Sequence, residues 1–536
     1  MTQAAARNPA PAAGGGWLGR LSAAAWTGDR LPCLAVALLS ALVCVPFLTA
    51  YVPWDEGIWL SAAARMDAGQ TLYRDVFEFL PPLSFLLTHA WTQAAGATLV
   101  SAHLLVALTV AGTAALTVLA CRRAGASMAA AASCVLAWVV LSQGVWTQLN
   151  HHWFTTFFCM AAAWAMLAHV QARGPGISWL WAAGLAVGAA GMVTPTRGAL
   201  AALACVALAP RRGRAVRDVL HLAAAVAAVP LAVAGYLAAE GVLGEAFQDV
   251  ILFTAARYAS IQPVPYGAWA TLQTALVAAV YPGCALAGAA VLLLHPKLPA
   301  GGALTGACAA FAAAGFAGSY PRPDVVHLAM GLPLAFPFAL RCRGILARRW
   351  PKWAGTAPAW CLAFAIMPRL AQYGTQAAVA LSHPAVQTAA GPVRFLEGDA
   401  GGQGLATRVL QLPGPSRVFF YPYAPLLAVM SGKVQVSRHD IMTPYYTLPG
   451  QYEEICAAVM QDADWVVYDH VRSDPAFLKL VFPAMPEGTP LEQRGFEQAL
   501  ASGFAAGERY GDYELRPRTA SAAPALCRPV AALPAR

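Results

Sequence analysis

Apolar segments of about 17 to 25 residues recur from position 31 to about position 370 of this 536-residue chain. An α-helix rises about 1.5 Å per residue, so each segment is long enough to cross roughly 30 Å of hydrocarbon. Hydrophobic side chains make up 58% of the chain and charged side chains only 11%, whereas about a quarter of an ordinary soluble domain is charged. The sequence therefore predicts a polytopic α-helical membrane protein.

The apolar segments predict about eleven membrane helices. The first is expected to be retained rather than cleaved as a signal peptide, because no small-residue cleavage site follows it. Residues 81–95 are also apolar, but this segment is short and opens with Pro81-Pro82, which favours an interfacial or re-entrant helix. The predicted membrane ranges are 31–51, 99–120, 128–147, 153–170, 177–193, 198–210, 218–239, 268–294, 301–318, 325–340 and 354–371.

The net charge of +9 could suggest a nucleic-acid partner, but the basic residues cluster in loops between the apolar segments. Cytoplasmic loops of membrane proteins carry such an excess of Lys and Arg. We therefore expect no nucleic-acid partner, and we place these loops and the leader, residues 1–30, in the cytoplasm. The basic loops contain Arg122-Arg123, Arg173, residues 211–217, Lys297 and residues 341–352.

Beyond about residue 380 the composition becomes more polar, and buried strands are predicted at 416–422 and 464–470, with a later strand at 512–518. Helical segments lie between them, which indicates a small α/β domain outside the membrane. The predicted organisation is thus a leader, a membrane core at 31–380 with a first outer loop at 52–98, and an outer domain at 381–536.

Two of the twelve cysteines, Cys456 and Cys527, lie in this polar domain. They could form a disulfide if the domain lies outside the cytosol, where oxidising conditions preserve such bonds. The other ten lie in or beside apolar segments without metal-binding spacing, so they are interpreted as small hydrophobic residues.

The segment YVPWDEG, at 51–57, places Asp55 and Glu56 side by side where the first apolar helix ends. The apolar residues that follow recur at helical spacing and stop at Gly69, which predicts a short helix on the membrane surface. Asp55 could be merely the N-cap of that helix. Such a role would leave Glu56 unexplained.

Further polar residues occupy the loops on the same predicted side of the membrane. Each could have a purely structural role in its own loop. Arg322 and Asp324 could form a structural ion pair, and His151 or His152 could be an interfacial hydrogen-bonding group. Together they suit transfer from a phosphorylated donor, because a carboxylate can accept a proton from an attacking hydroxyl while cations bind phosphate. The candidate substrate-binding residues are Arg74, Asp75, His151, His152, Arg197, Arg257, Arg322, Asp324 and His327.

The motif WDEG at 54–57, followed by GQTLYRDVFEFLPPL at 69–83, resembles the first outer loop of the GT-C glycosyltransferases. The resemblance is strongest to bacterial relatives of the protein mannosyltransferases and aminoarabinose transferases. RVFFYPYAPLLAVMSGK, at 417–433, is similar to the strand and helix that open their C-terminal domain. The resemblance implies a GT-C-like fold in the bacterial inner membrane, with a periplasmic α/β domain.

The activity implied by the resemblance is inverting transfer of a sugar from a polyprenyl phosphate carrier to an acceptor hydroxyl of a lipid, glycan or protein. It also implies that Asp55 is the base or the acceptor-positioning group, with Glu56 as its catalytic companion. Arg322, in a late outer loop, could serve the phosphate; its position and chemistry suggest this role, not a motif. Leu80 and Phe85 depart from the aminoarabinose transferases, where a lysine and a more polar aromatic residue are usual, so that sugar and a lipid A acceptor are not indicated.

Two other functions fit parts of the sequence. A transporter or lipid flippase would place ionisable residues near the middle of its spans and would favour broken helices in paired halves. A membrane hydrolase or ligase could use His151 or His152 as nucleophile or acid, but it would leave the acid pair unused. Asp55, Glu56 and the histidines could supply ligands to a divalent metal, yet no spacing requires one, so we expect no cofactor.

Overall fold

The computed structural model describes residues 29–527, except for residues 54, 143–146, 173, 175, 211–213, 295–301, 349, 352–356, 396–399, 415 and 434. Most of the predicted leader, residues 1–30, therefore lies outside the described residues. The same holds for Arg173, for Lys297 and for part of the basic segments 211–217 and 341–352.

The first three quarters of the chain are helical, and every predicted membrane range overlaps one of the helices. Within the described part of the chain, six helices are by length and composition long and apolar enough to cross a membrane, and four others are apolar but shorter. The helices are α1 Arg30–Cys44, α2 Glu56–Asp67, α3 Leu83–Ala95, α4 Leu99–Arg123, α5 Met128–Ser142, α6 His151–Gln171, α7 Ile177–Gly191, α8 Pro195–Leu208, α9 Ala215–Ala239, α10 Leu243–Phe247, α11 Ala275–Leu294, α12 Gly302–Ala317, α13 Val325–Ala347 and α14 Ala357–Ser382.

Between α10 and α11 the chain continues as a π-helical segment, Gln248–Tyr258, and a single turn, Ala259–Ile261. This connection and the loop before α13 lie at the same end of the helix bundle, since the amide of Val264 donates to the carbonyl of Pro321 at 3.2 Å. The helix ends on this side carry the candidate site described below.

The predicted surface helix after the acid pair is present as α2, and the chain leaves it through Gly69 at φ +86°. The helix is not an exposed one, because α2 is buried on nearly every face. It packs against a helix of the C-terminal domain so closely that a Cβ on Gly57 would lie 2.1 Å from the backbone nitrogen of Leu426. Only glycine permits that approach, which gives a steric reason for the last residue of WDEG.

The C-terminal region contains a small sheet domain, as predicted, and its three predicted strands are present. In its four-stranded sheet β3 and β4 run parallel, while β4 with β6 and β5 with β6 run antiparallel, in the order β3-β4-β6-β5. The elements are β1 Val386–Thr388, β2 Gly391–Val393, α15 Ala400–Leu410, β3 Val418–Tyr421, α16 Pro425–Met430, α17 Pro449–Asp462, β4 Trp465–Asp469, α18 Pro475–Val481, α19 Leu491–Gly503, β5 Glu508–Tyr510 and β6 Tyr513–Pro517.

A disulfide joins Cys456 on α17 to Cys527 near the end of the described chain, with a Cα–Cα distance of 5.7 Å. It ties the segment after β6 to the helix that covers the sheet. The pairing left open by the sequence is thus present in the structure.

The first outer loop is fastened to the C-terminal domain by paired polar groups. The Arg65 guanidinium on α2 lies 2.9 Å from the Asp440 carboxylate, and the Ser61 hydroxyl donates to the same carboxylate at 2.5 Å. The amide of Phe77 donates to the carbonyl of Arg438 at 2.8 Å. A continuous cluster of buried apolar side chains also runs from the membrane helices into this domain. The domain therefore covers the end of the bundle at which the connection before α11 and the loop before α13 lie.

Candidate active site

A cavity of about 500 Å³ lies between one end of the helix bundle and the C-terminal domain. Its walls come from α2, the N-terminal ends of α6 and α13, the connection before α11, and α18 with neighbouring loops of the domain. Aromatic and aliphatic side chains form most of the surface. The predicted site residues that line it are Asp55, His151, His152, Arg322, Asp324 and His327.

Asp55 occupies the N-cap position of α2, but its side chain makes no capping hydrogen bond to that helix. Its Oδ1 instead accepts a hydrogen bond of 2.8 Å from the hydroxyl of Tyr423. Among the described residues, no group donates a hydrogen bond to Oδ2. The interpretation of Asp55 as a helix cap and nothing more therefore does not fit its contacts.

Burial raises the pKa of Asp55 above that of an ordinary aspartate. Three neighbours act in the opposite direction: the hydrogen bond from Tyr423, then the positive charge of Arg322 and that of His327. A carboxylate with a raised pKa in a cleft is a candidate for proton transfer.

Arg322 reaches the cavity from the loop before α13. Its guanidinium donates to the side-chain carbonyl of Gln262 at 2.8 Å and to the carbonyl of Val481 at 3.1 Å. The same group lies 5.2 Å from the ring centroid of Trp269 and 5.3 Å from that of Phe482. Its Nε also lies 3.5 Å from Oδ2 of Asp324, so the ion pair that the sequence suggested is present. These contacts hold a planar cation in the wall, where its remaining N–H groups can donate to a phosphate.

Asp324 is the N-cap of α13 and accepts hydrogen bonds from the amides of Val326 and His327, both at 2.9 Å. Burial alone would raise its pKa, but the hydrogen bond and charge of His327 bring that pKa below its usual value. Because an ionised carboxylate only accepts, Nδ1 of His327 must donate to it across 2.8 Å. The other ring nitrogen, Nε2, therefore remains for a further partner.

His151 and His152 open α6, where Asn150 caps the helix by accepting from the amide of His152 at 2.9 Å. The ring centroid of His152 lies 4.0 Å from that of His151 and 4.7 Å from that of His327. The Nδ1 atoms of His151 and His152 are buried without a hydrogen-bond partner among the described residues. The N-terminal ends of α6 and α13 thus meet at the cavity, and both ends attract negative charge.

Glu56 does not share the position of Asp55. Its side chain is 0% exposed and lies outside the cavity. The carboxylate lies 3.0 Å from Nε2 of His103 on α4 and accepts a 3.0 Å hydrogen bond from the amide of Leu149. The expectation that Glu56 joins Asp55 at the reaction is therefore corrected, because successive residues at a helix start point in directions about 100° apart.

Four other predicted substrate-binding residues also lie outside the cavity. The Arg74 side chain is exposed and donates to the carbonyl of Glu240 at 3.0 Å, while Asp75 accepts from the amide of Thr71 at 2.7 Å. These contacts shape the first outer loop.

The remaining two of those four lie on other elements. Arg197 is buried behind the cavity wall, where it donates to the carbonyl of Gly318 at 2.9 Å and, across 3.4 Å, to that of His327. Arg257, on the π-helical segment, does not line the cavity. Arg197 therefore supports the wall from behind, close to the predicted site.

The structure adds aromatic residues that sequence reasoning missed, chiefly Tyr423 and Tyr446 of the C-terminal domain and Tyr258 and Trp269 of the connection before α11. Tyr423 stands within FFYPYAPLL, but nothing in that segment indicates a contact with residue 55. The hydroxyl of Tyr446 is buried without a hydrogen-bond partner among the described residues. Within the same described part of the chain, no group of three or more His, Cys, Asp or Glu side chains is arranged to hold a metal ion.

The fold that the resemblance implied is confirmed, because this chain shares the fold of solved ArnT structures. The structure is similar to the crystal structure of ArnT from Cupriavidus metallidurans bound to undecaprenyl phosphate, with a TM-score of 0.57 and 15% sequence identity over 93% of this chain and 99% of that chain. Apo ArnT from the same organism matches with a TM-score of 0.56 and 16% identity over 92% and 99% of the two chains. No protein-family model and no curated protein sequence matches this chain.

Proposed function

We propose that this protein is a membrane glycosyltransferase that moves a sugar from a polyprenyl phosphate carrier to an acceptor hydroxyl. The proposal rests on the cavity, because the Asp55 carboxylate, Arg322 and His327 all line it. Its aromatic and aliphatic walls suit a sugar and the first part of an isoprenoid chain. The undecaprenyl phosphate bound to ArnT, a protein of the same fold, supports this class of donor.

In the proposed reaction Asp55 is the general base. Its Oδ2 takes the proton of the acceptor hydroxyl, and the hydroxyl oxygen forms a bond to the anomeric carbon on the side opposite the phosphate. The bond between the anomeric carbon and the phosphate oxygen breaks, and its electron pair leaves with the carrier phosphate. The configuration at the anomeric carbon is thereby inverted.

Arg322 and His327 are proposed to bind the phosphate and to stabilise the negative charge that grows on it as the bond breaks. The N-terminal ends of α6 and α13 add partial positive charge at the same place. Asp324 acts indirectly, because it fixes the orientation of the His327 ring. His151 and His152 continue this wall and are proposed to contact the phosphate or the sugar.

Glu56 is proposed to be structural in this scheme. Its carboxylate joins the start of α2 to α4 through His103 and to the segment before α6 through the amide of Leu149. Asp55 sits at the start of the same helix. The buried pair therefore holds in place the turn that presents the base.

We further propose that the cavity faces the periplasm of a bacterium from its inner membrane, with the N-terminus in the cytoplasm. Arg122 and Arg341 lie at the other ends of their helices, where the Arg341 guanidinium donates to the carbonyl of Ala124 at 3.3 Å. Clustered basic residues favour the cytoplasmic side. The Cys456–Cys527 disulfide belongs to the domain on the cavity side, which suits an oxidising compartment.

The test is a transfer assay with purified protein in lipid nanodiscs, a panel of polyprenyl phosphate sugars with labelled sugar, and an extract of membrane lipids, glycans and proteins as acceptors. We expect one donor to lose its sugar, with release of polyprenyl phosphate. Asp55→Asn should abolish that release, and Asp67→Asn, at the far end of α2, should not. If no donor loses its sugar while proteoliposomes carry labelled lipid across the bilayer, the protein is a flippase and the proposal fails.

A further inference from the structure

The hydrogen bond to Asp55 comes from a residue 368 positions away in the chain. Tyr423 lies between β3 and α16, and its hydroxyl donates to Oδ1 of Asp55 at 2.8 Å. Both residues line the cavity. The membrane core supplies the carboxylate, and the C-terminal domain supplies the group that holds it.

We propose that Tyr423 is the positioning residue of the reaction: its hydroxyl holds one carboxylate oxygen of Asp55 so that the other, Oδ2, faces the acceptor hydroxyl. This inference rests on the proposed function. It assigns the C-terminal domain a direct part in the chemistry, because the domain contributes the partner that orients the base.

Packing fixes both ends of this hydrogen bond. On the side of Tyr423, the backbone of Leu426 on α16 presses directly against Gly57, two residues beyond Asp55. On the side of Asp55, the Arg472 guanidinium donates to the carbonyl of Pro53 at 2.6 Å. The separation between the hydroxyl and the carboxylate is therefore set by a close backbone approach and by a side-chain hydrogen bond to the backbone, both between the two parts of the molecule.

Asp55 needs such a partner because α2 does not hold its side chain through a capping bond. A general base must keep its oxygen within hydrogen-bond reach of the proton that it removes. A carboxylate free to rotate would spend time in unproductive orientations, and misplacement of a reacting group lowers the rate of the chemical step. The Tyr423 hydroxyl removes that freedom.

The charged and titratable groups around Asp55 predict how loss of the Tyr423 hydroxyl changes its pKa. Asp55 faces Tyr423 from the C-terminal domain, Arg322 and His327 from the loop and helix of α13, and Tyr258 from the π-helical segment. Burial raises the pKa of Asp55, and the Tyr423 hydrogen bond lowers it by stabilising the charged form. Loss of that hydroxyl must raise the pKa, so the base is protonated over a wider range of acidic pH.

The experiment compares Tyr423→Phe with wild-type protein in the nanodisc transfer assay, over a range of pH. We expect kcat to fall about tenfold, on the order of one hydrogen bond to a charged group, with KM for the donor unchanged. The acid side of the kcat profile should move to higher pH. Thermal unfolding of both proteins is measured to confirm that the variant is folded.

Tyr421→Phe is the matched control. The Tyr421 hydroxyl also donates to a carboxylate within the same domain, that of Glu497 at 2.7 Å, but it lies outside the cavity. Gln493 continues to donate to Glu497 at 3.0 Å, so that carboxylate keeps a partner. We expect the kcat, KM and pH profile of Tyr421→Phe to match those of the wild type.

A folded Tyr423→Phe variant with wild-type kcat and pH profile would overturn the inference, and so would a rise in KM alone, which would make Tyr423 a substrate-binding group. Equal losses in Tyr423→Phe and Tyr421→Phe would also overturn it, since they would indicate a general effect on the domain. Absence of transfer by wild-type protein would instead remove the proposed function, and this inference with it.

Discussion

Asp55 and Glu56 are consecutive carboxylates in one short motif, yet they occupy opposite environments. Asp55 faces a cavity, and among the described residues its Oδ2 receives no hydrogen bond. Glu56 is fully buried against His103 and the amide of Leu149. Asp55 therefore keeps one carboxylate oxygen for a substrate, whereas both carboxylate oxygens of Glu56 are used in contacts within the protein.

The difference teaches that proximity in sequence does not make two acids into one site. Side chains at the start of a helix diverge by about 100° per residue, so neighbouring residues face different surroundings. Here α2 lies between the cavity on one face and α4 on another. A buried acid with complete hydrogen bonding stabilises structure, whereas a partly satisfied acid in a cleft is suited to chemistry.

The largest expected effect is that of Asp55→Asn on transfer. An amide cannot accept the acceptor's proton as a carboxylate does, so we expect kcat to fall about a thousandfold, within the usual range for loss of a general base. Thermal unfolding should stay close to that of the wild type, since Asp55 does not cap α2. Wild-type transfer by a folded Asp55→Asn protein would assign the base to another residue.

Glu56→Ala should show the reverse pattern. It leaves His103 and the amide of Leu149 buried without their acceptor, which costs about 3 kcal/mol of stability. We expect a lower unfolding temperature and a lower yield of monodisperse protein in detergent. Glu56→Gln should lose less, because its amide can still accept from Leu149. A Glu56→Ala protein with wild-type stability and no transfer would restore Glu56 to the chemistry.

Arg322→Gln tests the cation opposite Asp55. We expect kcat/KM for the lipid-linked donor to fall between about tenfold and a hundredfold, since a charged two-point contact to phosphate is lost. Arg322→Lys should recover part of the loss, because it keeps the charge without the planar fork. Arg417→Gln is the control, as Arg417 lies on the exposed face of the C-terminal domain and pairs with Asp462. Equal kinetics for Arg322→Gln and Arg417→Gln would exclude Arg322 from donor binding.

The smallest expected effect is a displacement of the pH profile of the proposed transfer by the wild-type protein. Burial raises the pKa of Asp55, and a base works only when it is deprotonated, so activity should be lost as pH falls through a value above that of an ordinary aspartate. Arg322 lowers that pKa, so the residual activity of Arg322→Gln should be lost at a still higher pH. Loss of activity at the pKa of an ordinary aspartate would indicate that the Asp55 carboxylate is solvated. It would contradict the description of Asp55 as a buried base.

The sequence predicted the helical elements well because hydrophobic length and periodicity report directly on burial in a bilayer. Strands β3, β4 and β6 were predicted for a related reason, since each is a short run rich in apolar or aromatic residues. Strands β1, β2 and β5 were not, because each has only three residues. The burial of α2 under the C-terminal domain was not predicted, since it depends on residues more than 350 positions away.

The candidate site was predicted in part. Asp55, His151, His152, Arg322, Asp324 and His327 all reach the cavity, and each lies at or near the outer end of a predicted span. Arg74, Asp75, Arg197 and Arg257 were indicated by the same reasoning and lie elsewhere. A residue in a loop on the same predicted side of the membrane as the site lies near the site. Its position in the loop does not determine the direction in which its side chain points.

The amino-acid sequence by itself determined that this chain is a helical membrane protein with a polar domain after it, and that charged groups collect at one set of helix ends. These properties follow from local composition, because transfer of each segment into hydrocarbon is favourable or costly on its own account. Only the tertiary structure decided which acid faces the cavity, which acid is locked in the core, and that a tyrosine of the distant domain completes the site. Those outcomes depend on side-chain directions and on contacts between segments far apart in the chain, and no local pattern encodes them.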